Sequence, residues 1–138
     1  MTQRATDRLD AHALLAFGAL VAAVATAGSL YFSLGMGLVP CELCWYQRIL
    51  MYPLVVVLGV ALLERRVGVY RTVLPLSAGG AALAAYHSWL QLASGGRCAF
   101  GGCAAVQLRV VGLTIPNLSL IAFVLITATA AALWADER

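Results

Sequence analysis

Four cysteines stand in this chain as two close pairs, and thiols so spaced can pass electrons between them. Cys41 and Cys44 form a C-x-x-C pair within Cys41-Glu42-Leu43-Cys44-Trp45-Tyr46-Gln47-Arg48, at the mouth of a long apolar segment. Cys98 and Cys103 are separated by Ala99-Phe100-Gly101-Gly102 in a later polar break. A dithiol at a membrane surface can trade electrons with a soluble protein on one side and a lipid-soluble carrier on the other. Two such pairs have the layout of a relay.

The elements that must position these thiols are membrane helices. The 138 residues suffice for one domain. They are 62% hydrophobic and 11% charged, with mean hydropathy +0.90, far from the roughly 25% charged residues of soluble domains. The net charge of +3 comes from arginine, since the chain has no lysine. It is too small and scattered for a nucleic-acid surface, which needs a clustered basic patch.

Four apolar runs can each cross a hydrocarbon core about 30 Å thick, which takes roughly 20 helical residues. They are Leu14–Leu34, Trp45–Leu63, Thr72–Leu92 and Pro116–Trp134. Without water to satisfy the backbone, such runs must be helices, so the expected fold is an all-α, four-helix membrane bundle forming a single domain over 1–138. Arg4 and Arg8 precede the first run as they would a signal peptide, but its apolar stretch exceeds the roughly 7–15 residues of a signal h-region. Trp45, Trp89 and Trp134 fall near the expected boundaries, as aromatic belts do.

Arginine bias gives the orientation. Arg4 and Arg8 at the N-terminus and Arg65, Arg66 and Arg71 in the second loop belong in the cytoplasm. Both termini then face the cytoplasm, and the first and third loops face outward despite Arg97 and Arg109 in the third. All four cysteines reach the oxidising side, where disulfides persist.

At the first pair, Pro40 suits a helix start. Cys41 and Cys44 then lie on the first turn, where the helix dipole favours a thiolate, the reactive form. Arg48 lies one turn deeper on the face of Cys44. Its guanidinium can lower the thiol pKa, hydrogen-bond a carbonyl oxygen of a bound acceptor, or simply snorkel to the head groups. Glu42, between the cysteines, is expected to be exposed and non-essential.

At the second pair, four intervening residues permit a disulfide, and Gly95-Gly96 and Gly101-Gly102 predict a mobile loop that could present it to another protein. Val106, Val110 and Leu113 recur at helical spacing, which fits a short interfacial helix or an ordinary loop equally. His87, in Tyr86-His87-Ser88-Trp89-Leu90-Gln91, falls at the depth expected for Arg48 and the first pair. Alone it reads equally as a hydrogen-bonded structural histidine; with Arg48 it could outline a pocket for a planar, two-oxygen redox ligand. Structural disulfides or a four-cysteine zinc site in a non-enzymatic membrane protein are the alternatives. Against zinc, the cysteines flank membrane helices, and the outer compartment favours disulfides. An outward reductive relay would need a cytoplasmic thiol, and no cysteine falls on that side.

The run Cys41 to Arg48, followed by Ile49-Leu50-Met51-Tyr52-Pro53, resembles the signature of the DsbB/BdbC family of membrane thiol:disulfide oxidoreductases. The resemblance continues through Tyr86 to Gln91, the second cysteine pair and Thr114-Ile115-Pro116. It implies four transmembrane helices in the bacterial cytoplasmic membrane, with two outward-facing catalytic loops. It implies reoxidation of a soluble thioredoxin-fold oxidase of the DsbA/BdbD type, with electrons passed to a membrane quinone, ubiquinone or menaquinone. By the same resemblance the partner's thiolate attacks a Cys98–Cys103 disulfide, at Cys98. Electrons then reach the Cys41–Cys44 pair by thiol exchange, with Cys44 beside the quinone and Arg48 and His87 as its contacts. The close spacing of Cys98 and Cys103 departs from the best-known members and is similar to the compact BdbC-like branch. In the vitamin K epoxide reductase family the loop pair precedes the C-x-x-C, the reverse of the order here.

Overall fold

The computed structural model describes residues 2–37, 42–93, 109–110 and 112–137, with the backbone alone at Glu42, Arg109, Val110 and Thr114. Cys41, Cys98, Cys103, Pro40 and Arg97 lie outside the described residues, as does the expectation of a mobile loop around the second pair. Four long helices account for nearly everything else: α1 (Thr2–Leu30), α2 (Glu42–Glu64), α3 (Tyr70–Ala93) and α4 (Ile115–Glu137). The all-α expectation holds, with one small addition. Arg109–Val110 (β1) and Leu113–Thr114 (β2) pair antiparallel just before α4. Gly112, at φ 82°, takes the left-handed backbone that this tight reversal requires. Val110 and Leu113 thus lie in a hairpin, and the helical alternative does not apply to them.

α2, α3 and α4 reach beyond their expected apolar runs at both ends, and α1 does so at its start. The difference is largest in α1, which starts at Thr2 rather than near Leu14. Hydropathy marks where a helix enters apolar surroundings, whereas Thr2–Asp10, exposed throughout, extends the same helix past that point. The far end of α1 passes into a π-helical turn, Tyr31–Gly35, closed by the Met36 N–H on the Tyr31 carbonyl at 3.1 Å. At the other end of the bundle, α2 stops with Arg65 in the left-handed region (φ 55°) and the Arg66 N–H bonded to the Ala61 carbonyl at 2.9 Å. That is a Schellman closure, with arginine where glycine is usual.

The helices form a ring in chain order, each packed on its sequence neighbours, with α1 closing against α4. Contacts show that neighbours run antiparallel. Arg48 meets Ser29 and Ser33, Gln47 meets His87, and Thr127 meets Ser77. The buried residues of α3 are Tyr70, Val73, Ser77, Gly80, Ala84, His87 and Gln91. This alternation of three and four is the heptad stripe of left-handed helix packing. α1 shows the same stripe in Ala11, Leu15, Gly18 and Ala22, where it ends.

Three helical segments, Thr2–Gly35, Leu43–Glu64 and Ile115–Glu137, are long and apolar enough to cross a membrane. α3 matches them in length, with 24 residues, or about 36 Å at 1.5 Å per residue. Its apolar character is diluted by Ser77, His87, Gln91 and several glycines and alanines. The three tryptophans at the expected boundaries are exposed on the bundle surface, as a belt requires.

The core gathers in the half remote from Cys44, around Leu15, Leu58, Val73, Ile126 and Leu133, all essentially inaccessible. Along α3 and α4 it is closed by the fit of Phe123 against Gly80. A β-carbon on Gly80 would stand 2.1 Å from the Phe123 ring, so only glycine admits the aromatic side chain there. Beside it the Ser77 and Thr127 hydroxyls lie 2.9 Å apart. They also reach the Leu74 and Phe123 carbonyls at 3.3 and 2.7 Å, tying the two helices through polar groups that apolar surroundings leave no other partners.

Candidate functional site

Cys44 lies in the first turn of α2, half-buried, where free backbone N–H groups and the helix dipole favour an anion. From there one face of α2 runs inward through Gln47, Arg48, Met51 and Tyr52, at the i, i+3, i+4, i+7, i+8 positions of a single helical stripe. This stripe is one wall of a cavity of about 470 Å³. The other walls come from α1 with the π-helical turn that follows it (Leu20 to Ser33) and from α4 (Ile115 to Leu125). Leu20, Val21, Val24, Phe32, Phe123 and Leu125 make most of it apolar. Its polar groups gather toward the Cys44 end: Ser29, Ser33, Gln47, Arg48 and Ser119, with Tyr52 deepest along α2.

Arg48 enters this space with its charge partly spent on protein. Its Nη2 donates to the Ser29 carbonyl oxygen at 3.0 Å and to the Ser33 hydroxyl. Ser33 belongs to the π-helical turn, a local irregularity often found where a helix must present groups to a site. The guanidinium carbon also sits 5.4 Å from the centre of the Trp45 ring, within cation–π range. The arginine is therefore held between α1 and α2 by partners on both helices.

His87 is buried on α3 and does not line the cavity. Its Nδ1 lies 2.9 Å from Gln47 Nε2, and Gln47, also buried, does line it. The histidine thus sits at the depth expected from its sequence position, one residue behind the cavity wall. Gln47 bridges it to the face shared by Cys44 and Arg48. The Tyr52 hydroxyl, by contrast, is buried with no hydrogen-bond partner among the described residues.

The structure therefore brings Cys44 and Arg48 to one cavity, sets His87 one layer behind, and describes neither Cys41 nor the Cys98–Cys103 pair. Sequence reasoning missed Gln47, Tyr52, Ser29 and Ser33. Gln47 and Tyr52 were within its reach, because projecting the stripe of Cys44 and Arg48 along a helix passes through both. The serines were not, since their role depends on how α1 is rotated against α2.

A ring of four long helices, three of them apolar enough to cross a membrane, with a cysteine beside an apolar, arginine-bearing cavity defines a multi-pass helical membrane protein. A family model described as "Disulfide bond formation protein DsbB" matches residues 11–133, and the chain belongs to that family. It is 45% identical over 113 residues to disulfide bond formation protein C of Bacillus subtilis, covering 78% of this chain and 82% of the relative. It is 44% identical over 133 residues to a probable disulfide formation protein of Deinococcus radiodurans, covering 86% of each. A probable disulfide formation protein of Coxiella burnetii is 35% identical over 123 residues, covering 84% of each. No solved structure matches the chain. These relationships support a role as a disulfide-forming membrane oxidoreductase.

Proposed function

We propose that this protein is a quinone-dependent thiol:disulfide oxidoreductase of the bacterial cytoplasmic membrane. It reoxidises a soluble thioredoxin-fold oxidase of the DsbA/BdbD type and passes the electrons to ubiquinone or menaquinone. All four helices cross the bilayer as one domain, with both termini in the cytoplasm and the two cysteine loops outside. The arginine bias of Arg4, Arg8, Arg65, Arg66 and Arg71 supports that orientation.

The observation that carries the reading is the cavity shared by Cys44 and Arg48. Its apolar walls suit a lipid-soluble ring, and Arg48 supplies a charged donor for a ring oxygen. Bound there, a quinone would supply the chemistry the chain lacks, taking up two electrons and two protons. The cysteines do the rest. The reduced partner's thiolate attacks the Cys98–Cys103 disulfide at Cys98. Its second thiolate then resolves the mixed disulfide, leaving the partner oxidised and Cys98 and Cys103 reduced. These two pass the electron pair to the Cys41–Cys44 disulfide by a second exchange, regenerating their own. Cys44, beside the cavity, is the exit. The direction is set by potential, since for this two-electron couple about 30 mV corresponds to about 1.4 kcal/mol.

The test is quinone reduction by the purified protein in detergent, with a reduced thioredoxin-fold oxidase as donor. Wild-type protein turns over and Cys44→Ser does not, although its helical content is unchanged. Absence of turnover with both ubiquinone and menaquinone, in protein whose disulfides are intact, sinks the reading in favour of structural disulfides or a zinc site. About one tightly bound zinc per chain on metal analysis would single out the latter.

A further inference from the structure

We propose that Tyr52 is a binding residue of the acceptor site, its hydroxyl donating a hydrogen bond to the ring oxygen farther from Cys44. The proposal rests on the reading above of the cavity as the place where a quinone ring binds. Tyr52 lines that cavity, yet its hydroxyl is buried without a partner among the described residues. A buried donor left unpaired is costly, and native structures rarely keep one. Most of the cavity lining is apolar, and the side chains of Leu20, Val21, Val24 and Leu125 accept no hydrogen bond. A ligand that fills this space without an oxygen near Tyr52 would leave the hydroxyl unpaired.

The spacing along α2 fits a two-oxygen ring. Arg48 and Tyr52 are four residues apart on one face, about 6 Å along the axis at 1.5 Å per residue. The two oxygens of a 1,4-quinone sit at opposite corners of a six-membered ring, so their two donors must approach from different ends. Arg48, nearer the Cys44 end, and Tyr52, one turn deeper on the same face, can therefore serve the two ends of one ring. The arrangement would select rings that carry an oxygen at both ends over those that carry one.

The experiment uses the full chain in detergent with its disulfides formed, titrated with a short-chain, fully substituted 1,4-benzoquinone. Binding is read by quenching of tryptophan fluorescence and by the rise in Tm. Tyr52→Phe keeps the ring and removes only the unpartnered hydroxyl. Its ligand-free Tm is expected to match or exceed that of the wild type, and its affinity for the benzoquinone to fall about tenfold. A 4,4-disubstituted cyclohexadienone, with one carbonyl in place of two, is expected to bind both proteins equally. Undiminished benzoquinone affinity in Tyr52→Phe overturns the proposal, and so does an equal loss for the dienone, which would mark an effect on shape. If wild-type protein itself binds no benzoquinone, the acceptor-site reading fails and takes the proposal with it.

Discussion

The two halves of this bundle solve opposite problems with the same kinds of residue. Along the α3–α4 seam, Phe123 fills the space left by Gly80, and the Ser77 and Thr127 hydroxyls close on each other at 2.9 Å. Between α1, α2 and α4, toward the Cys44 end, Phe123 and many smaller residues leave a cavity of about 470 Å³. Phe123 belongs to both regions, packed on Gly80 and lining the cavity. The polar groups differ in the same way. Those of the seam satisfy one another, whereas along the cavity Tyr52 has no partner among the described residues and Arg48 reaches across to α1. The seam is built to hold its shape and the cavity to hold something else.

Each half is therefore expected to fail in its own way. The largest effect is expected at the seam. Gly80→Ala puts a methyl group into the Phe123 ring and is expected to cost about 1–3 kcal/mol of stability, read as a lower Tm in detergent. Phe123→Leu in the same chain is expected to recover part of that loss, and a Tm unchanged by Gly80→Ala would break the picture of a tight seam. Next in size is Arg48→Ala, expected to raise the apparent KM for quinone about tenfold, or about 1.4 kcal/mol. The KM for the partner oxidase should move much less, and equal losses for both substrates would dissolve the assignment of Arg48 to the cavity. Smallest is Ser77→Ala, worth about 0.6 kcal/mol on the average for hydrogen bonds between membrane helices. It sharpens the comparison if it lowers Tm slightly and leaves the quinone KM where it was.

The bundle was legible in the sequence because apolar runs in a membrane admit few structures. Cys44 and Arg48 were legible as one site because four residues on a helix bring them to one face. What was not legible depends on rotation between helices. Nothing local to Gln47 or His87 says that they meet across 40 positions of chain, or that Gln47 takes the cavity side. Gly80 and Phe123 look like a small residue and a large one in two apolar runs until their helices are laid together. Tyr52 reads as one more aromatic in a hydrophobic stretch, and only the surrounding walls show its hydroxyl to be unpaired. The early start of α1 was missed for a simpler reason: Thr2–Asp10 is polar yet helical, and hydropathy does not detect helix in water.

The modest hydropathy of α3 bears on how the protein is made. With Ser77, His87 and Gln91 on its buried stripe, a bilayer offers this segment far less by itself than it offers its neighbours. The partners of those side chains, Gln47 on α2 and Thr127 on α4, are what make the interior hospitable to it. One partner is synthesised earlier and one later. Crossing of α3, as proposed, then has to await α4, a delay of a few seconds at roughly 5–20 residues per second of translation. During that interval Arg65, Arg66 and Arg71 would keep its leading end on the side of the ribosome, and the nascent chain would stand exposed to quality control at its least apolar helix.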